Sequence, residues 1–283
     1  MTSSRPRLTI LLPLLFALSP RQGAAWCPVG HQVVAQIAED NLTDAAKQGI
    51  QGLLGQGVHL KDVANWADET ASDRHKTEPL HAIKLPVSKN VTIDQVMNYC
   101  PDGNCVVAQV DLDIQTLRDP KADYPKKIKA LKYLVHLTGD LHQPLHCSDN
   151  SSQDGNQGMV LFHNVSLNLY AVWDDLIEDY ALLKYDSDRA LQLEKKITPE
   201  NKKEWEKGAP KDWAYESYLI AKIKIYKVMT PKDLGADNQP LPENYYSTMR
   251  PIVNKQLEKA GIRLAYVLNQ IFSPKALRNR NEK

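Results

Sequence analysis

The sequence predicts an all-α protein with one small β-hairpin, and two observations carry that reading. Apolar residues recur at helical spacing in several long segments, while near-alternation of apolar and polar residues marks one short stretch. The first periodic segment holds Val33, Val34, Ile37 and Ala38, and the second Val106, Val107, Val110, Ile114 and Leu117. Pro125 stands where a first-turn proline fits, ahead of Ile128, Leu131, Leu134 and Val135. A long helix is therefore expected from there to the residues before Pro144. A C-terminal segment repeats the pattern with Ile252, Val253, Leu257, Leu264, Ala265, Leu268 and Ile271. The alternating stretch, residues 159–169, places Val160, Phe162, Val165 and Leu167 around His163-Asn164, as in a short hairpin. No repeat, heptad array or Gly/Ser/Pro-rich linker divides the chain, so a single globular domain is expected over residues 26–283.

Residues 1–25 read as a secretory signal peptide. Arg5 and Arg7 precede an apolar run over residues 8–18, followed by Gly23-Ala24-Ala25, which supplies small residues at a cleavage site. The run is about half of the roughly 20 residues that a membrane-spanning helix needs, so no membrane span is expected. Cleavage would leave Trp26 with a free α-amino group in a secreted protein, extracellular or periplasmic. It would also remove three arginines and no acids, taking the formal charge from +1 to −2. That balance excludes a generally basic nucleic-acid binder. Attraction for phosphate would then need a local source such as metal ions.

All four cysteines lie beyond the leader, and an oxidising compartment favours pairing. Cys100-Pro-Asp-Gly-Asn-Cys105 brackets turn-forming residues, so a local Cys100–Cys105 bridge is the simplest choice and leaves Cys27 with Cys147. Asn41, Asn90, Asn150 and Asn164 open glycosylation sequons, which makes the chain a glycoprotein if it passes through a eukaryotic secretory route.

The chemistry concentrates in His136-Leu-Thr-Gly-Asp140-Leu-His142-Gln-Pro-Leu-His146. His136 and Asp140 are four apart and project from one helix face, a half-site for zinc, and Pro144 redirects the chain at His146. The bland alternative is a helix end whose carboxylate orients a histidine. Upstream, a freed Trp26 five residues before His31 could chelate a metal through its amino nitrogen and its own carbonyl oxygen. Asp68, within Trp66-Ala-Asp68, and His81 add another carboxylate and imidazole, and Asp174, in Asn168-Leu-Tyr170-Ala-Val-Trp173-Asp174, adds a further acid. Solvated helix faces would explain the acids equally well, and core packing explains Trp66 and Trp173.

Taken in this order, the set resembles the zinc-dependent single-strand-specific nuclease and 3′-nucleotidase family of fungi and plants, itself distantly similar to zinc-dependent phospholipase C. The resemblance spans nearly the whole chain after residue 25, including Gly155-Asn156, Trp213-Ala-Tyr-Glu216-Ser217 and Gly261-Ile-Arg-Leu-Ala265. It implies a helical domain of that type, three zinc ions, and hydrolysis of single-stranded DNA or RNA to 5′-phosphorylated products, with 3′-mononucleotides as further substrates. Asp68, His81, His136 and Asp140 would surround one ion; Trp26, His31 and Asp140 a second; His146 and Asp174 part of a third. Asp140 would bridge two ions, Asp68 would orient the attacking water as the catalytic carboxylate, and Asn156 would contact substrate. A monomer acting on a single-stranded nucleic acid or nucleotide is implied.

Three departures bear on function. Tyr170 stands where the family has a histidine ligand, and a phenol with pKa near 10 is a poor ligand unless a metal ionises it, so the third site is in doubt. His163, from the hairpin, is a substitute for that ligand. Ala82 stands where the family has an aromatic residue that stacks a base, and Lys84 where it has an aspartate; stacking is worth about 1–3 kcal/mol per base. Arg74 reads first as a solvated surface arginine and second as a stand-in for the basic residue that the family carries in that loop, and His142 is left out of the metal set. Two competing readings follow: a phospholipase C-like esterase, and a degenerate paralogue that binds metal or nucleic acid without turnover.

Overall fold

The computed structural model describes residues 26–69, 77–149, 159–162, 165–175, 187–228 and 239–273. The proposed leader, residues 1–25, lies outside them. The chain opens with α1 (Pro28–Asp40), α2 (Asp44–Leu54) and the single turns α3 (Leu60–Val63) and α4 (Trp66–Glu69). There follow α5 (Val106–Arg118), α6 (Tyr124–Leu141), α7 (Leu169–Asp175), α8 (Ser187–Glu194), α9 (Pro199–Trp205), α10 (Pro210–Ile220) and α11 (Tyr245–Ile271). No helix among the described residues is long and apolar enough to cross a membrane.

The expected long helix is α6. Asp123 caps it by accepting a hydrogen bond from the Lys126 backbone N–H at 2.8 Å, and Pro125 occupies the first turn, where a missing N–H costs nothing. From Ala130 onward nearly every residue of α6 is buried, so this helix runs through the centre of the domain rather than along its surface. The hairpin forms as β1 (Met159–Phe162) and β2 (Val165–Asn168), antiparallel, with Phe162 opposite Val165. A two-residue strand, β3 (Gln239–Pro240), joins β1 in parallel, an addition too short for any alternation to announce.

Helix α11 buries one long stripe, including Val253, Leu257, Leu264 and Leu268, much of it against α1. Their approach is so close at Gly261 that a Cβ there would stand 2.5 Å from Ile37 Cγ2 and 3.1 Å from the Val34 carbonyl oxygen. Only glycine admits this spacing. The first and last helices thus share a face, which fixes where α1 presents its first turn. Trp173 is buried, as core packing requires, and its indole N–H donates to the Tyr245 hydroxyl at 2.9 Å. Trp66 is only half-buried, edge-on to Tyr133 with Lys132 over its ring.

Cys100 and Cys105 are joined by a disulfide that closes the turn before α5. The other expected pair, Cys27 with Cys147, is not joined in this structure. The thiol of Cys147 instead reaches the Leu141 carbonyl oxygen at 3.4 Å, in a buried position.

One buried acid departs from the apolar pattern. Asp113 on α5 faces α6; Gln109 Nε2 donates to its Oδ1 at 2.9 Å, while Oδ2 has no partner. Burial pushes its carboxyl up to about 8, against the pull of Gln109 and Lys129. In the unfolded chain this group ionises near 3.8, so the stability it leaves intact below that pH is lost progressively as pH rises toward 8. Asp113→Asn is therefore expected to stabilise the protein by roughly 1–3 kcal/mol near pH 8 and to change little near pH 4. Urea unfolding at the two pH values checks the sign.

Candidate metal centre

The side chains that the sequence singles out come from five separate segments. His31 lies in the first turn of α1, Asp68 in α4, His81 at the end of the 3-10 turn Glu78–His81, His136 and Asp140 on α6, and His146 in the turn Pro144–Cys147. The structure brings His31, Asp68, His81, His136 and Asp140 together. His31, His136 and Asp140 form one trio with ligand atoms within 4.8 Å of one another, and Asp68, His81 and His136 form another.

Asp140 turns one oxygen toward each trio. Its Oδ1 lies 3.4 Å from His31 Nε2, and its Oδ2 lies 2.8 Å from His81 Nδ1 and 3.5 Å from His136 Nε2. Asp68 Oδ1 is 3.6 Å from His136 Nε2 and 3.9 Å from His81 Nδ1. The imidazoles pack as a stack, His31 on His136 at 3.9 Å between centroids, with His81 edge-on to His136 at 5.0 Å.

Backbone carbonyls set which nitrogens face inward. His136 Nδ1–H donates to the Ala64 carbonyl at 2.7 Å, and His146 Nδ1–H to that of His81 at 2.7 Å. The Nε2 lone pair of His136 is thereby aimed at two carboxylates. Nitrogen and oxygen 3.5–3.6 Å apart are too distant for a good hydrogen bond. The gap is instead close to the about 3.4 Å that separates two ligands bound at about 2.0–2.1 Å to one tetrahedral zinc ion.

The buried atoms without hydrogen bonds agree: both nitrogens of His31, Nε2 of His136 and Oδ1 of Asp140 are all left over. Buried polar atoms are rarely left so unless something else binds them. Burial, helped by neighbouring imidazoles, holds His31 well below its usual range, and burial also lowers His146. Burial raises Asp140 to about 7, opposed by His136 and His146. His31 and His146, which burial keeps from protonating, and a carboxylate that resists ionising belong to a donor set that a divalent cation would complete. All donors are nitrogen or oxygen, a set that suits zinc. His81 is the partial exception, because its Nδ1 already shares a proton with Asp140 Oδ2 at 2.8 Å, and that proton would leave on metal uptake.

Other expected residues belong to neither trio or fall outside the described part. Trp26 is buried, its indole N–H donating to the Gly139 carbonyl at 2.9 Å, which seats the start of the domain against α6. Tyr170 on α7 donates its hydroxyl to the Leu145 carbonyl at 2.9 Å and sets its ring edge-on to His146, 5.7 Å between centroids. Asp174 lies in the last turn of the same helix, but its side chain is outside the described residues, as are Asn156, His163 and Arg74.

His142, left out of the metal set, is fully engaged elsewhere: Nδ1–H donates to Thr138 O at 2.8 Å, and Nε2 accepts from Arg263 Nη1 at 3.0 Å. Burial, then the Arg263 cation, hold its imidazole down at about 3, so it is neutral.

Sequence reasoning missed Gly139. A Cβ there would stand 2.8 Å from His31 Nδ1 and 3.5 Å from Trp26 Cδ1. The signal was a glycine inside a strong helix, next to a ligand candidate.

A family model described as S1/P1 Nuclease matches residues 26–273. The chain is 30% identical to Endonuclease 2 of Arabidopsis thaliana, over 94% of this chain and 96% of that protein. It is 28% identical to Nuclease S1 of Aspergillus oryzae, over 95% and 99%. Nuclease P1 of Penicillium citrinum is likewise 28% identical, over 87% of this chain and 97% of its own length.

Proposed function

The chain belongs to the S1/P1 nuclease family, and from that premise we propose that it is a secreted, zinc-dependent phosphodiesterase. It hydrolyses single-stranded DNA or RNA to 5′-phosphorylated products, with weaker activity on 3′-mononucleotides, and acts as a monomer. The observation that supports this best is the convergence of His31, His136 and Asp140 with buried, unpartnered nitrogen and oxygen atoms. We assign Asp68, His81, His136 and Asp140 to one ion. His31, Asp140 and the amino and carbonyl groups of a processed Trp26 hold a second, and His146 and Asp174 contribute to a third.

Bound zinc would supply Lewis acidity toward the phosphate and acidify a water molecule toward neutral pH. The protein's part is to place the groups around that chemistry. Asp140 is buried and committed to both trios, whereas the Asp68 side chain is 21% exposed and within reach of solvent. Asp68 is therefore the carboxylate assigned to orient the attacking water. Ala82 offers no ring for a base to stack on, which underlies the weaker expectation for mononucleotides.

The test is zinc stoichiometry by elemental analysis on protein beginning at Trp26, with hydrolysis of single-stranded DNA assayed on the same sample. Turnover that a chelator removes and zinc restores is the expected result, with three ions if the third site fills. Two ions or fewer without turnover would overturn the enzymatic reading in favour of a binding-only paralogue. Tyr170 motivates that alternative, since its hydroxyl proton is directed to Leu145 O.

A further inference from the structure

Two sequence segments, around Glu216-Ser217 and Arg263, have no role in the site as described, yet they meet directly behind it. The last carbonyls of a helix need partners from outside. At the end of α6, the Leu141 carbonyl accepts from Ser217 Oγ at 2.7 Å, and the His142 carbonyl accepts from Gln256 Nε2 at 2.9 Å. Gln256 Nε2 also reaches Ser217 Oγ at 3.1 Å, closing a small ring of hydrogen bonds around the point where α6 stops.

Arg263 anchors that ring from α11. Its side chain is 3% exposed, and its guanidinium lies 5.2 Å from the centre of the Trp213 ring. Three of its nitrogens reach three different segments: Nη1 to His142 Nε2 at 3.0 Å, Nη2 to Glu216 Oε1 at 2.9 Å, and Nε to the Trp205 carbonyl at 3.1 Å. An ion pair whose acid is 40% exposed adds little net stability. What a planar, forked cation adds is a fixed geometry among its acceptors. His142 follows Asp140 by two residues and precedes His146 by four, so its position sets both.

We propose that Arg263 is a positioning residue for the metal centre. Through His142 it locks the end of α6 and the turn to His146, and thereby the separation of Asp140 from His31, His81 and His136. The proposal rests on the zinc reading above. Partners that orient metal ligands from behind typically change metal affinity about 10–100-fold when mutated.

The test measures zinc affinity by competition with a chromophoric chelator, well below the unfolding temperature, and needs no turnover. Arg263→Gln is expected to bind zinc about 10–100-fold more weakly than wild type, and Arg263→Lys, which keeps the charge without the fork, to recover only part of that loss. Ile50→Ala, in the buried face of α2 and matched to Arg263→Gln by its fall in Tm, is expected to bind zinc as wild type does. Should Arg263→Gln fail to fold, Ser217→Ala, which removes one hydrogen bond to Leu141, carries the test with a loss of roughly tenfold. Zinc binding by these variants no weaker than that of Ile50→Ala would overturn the proposal and leave the enzymatic reading standing. A wild type that takes up no zinc would overturn both.

Discussion

Asp140→Asn is expected to empty the metal centre and lower turnover on single-stranded DNA by about a thousandfold, equivalent to about 4 kcal/mol. The reasoning starts from the two oxygens, one turned to His31 and the other to His81 and His136. Asparagine fills the same volume but offers a single neutral oxygen, and its NH2 cannot ligate a cation. Among the described residues, Asp140 is the carboxylate seen within 4 Å of both His31 and His81, so Asp68 cannot take over both contacts. The fold should survive, because burial already disfavours the charged form of Asp140, raising it to about 7 in the absence of metal. Above about pH 4 the metal-free variant should therefore be no less stable than metal-free wild type. Wild-type zinc content with wild-type turnover in this variant would remove Asp140 from the centre of the account.

Gly139→Ala should run against the usual effect of such a change. Inside a helix, alanine normally stabilises by about 1 kcal/mol relative to glycine. At this position the new methyl would press on His31, Nδ1 at 2.8 Å and Cε1 at 3.1 Å. His31 is stacked on His136, and Trp26 on the other side is tied by its indole to the Gly139 carbonyl, so neither can yield independently. Overpacking of this kind costs about 1–3 kcal/mol, and a shift of about 1 Å in a positioned group can cost roughly 100-fold in rate. Tm and kcat measured on one preparation decide the matter. A rise in Tm with activity intact would show that His31 is free to move.

Much of this was legible in the chain, for definite reasons. The i, i+4 pair His136 and Asp140 needs only helical geometry to share a face, and Pro125 marks the start of that helix by ring constraint. The cysteines at 100 and 105 flank a turn that brings them together locally. What stayed hidden depends on contacts far apart in sequence. No local pattern says that the Ala64 carbonyl will fix the tautomer of His136, or that Arg263 will reach His142 across 121 positions. Asp113 was hidden for the opposite reason, since it reads as one polar residue in an amphipathic helix and lies inside only because α6 is buried along that side.

The packing of α1 against α11, with Gly261 pressed onto Ile37, joins a helix made early in synthesis to one made near its end. His31 sits on a helix that leaves the ribosome early, whereas the surface that seats this helix leaves near the end. Contacts spanning nearly the whole chain form late and slowly. A polypeptide still being made therefore lacks a seated His31 and a framed end of α6, and cannot gather the complete ligand set. A nuclease assembled in this order completes its candidate ligand set only once its last long described helix is in place.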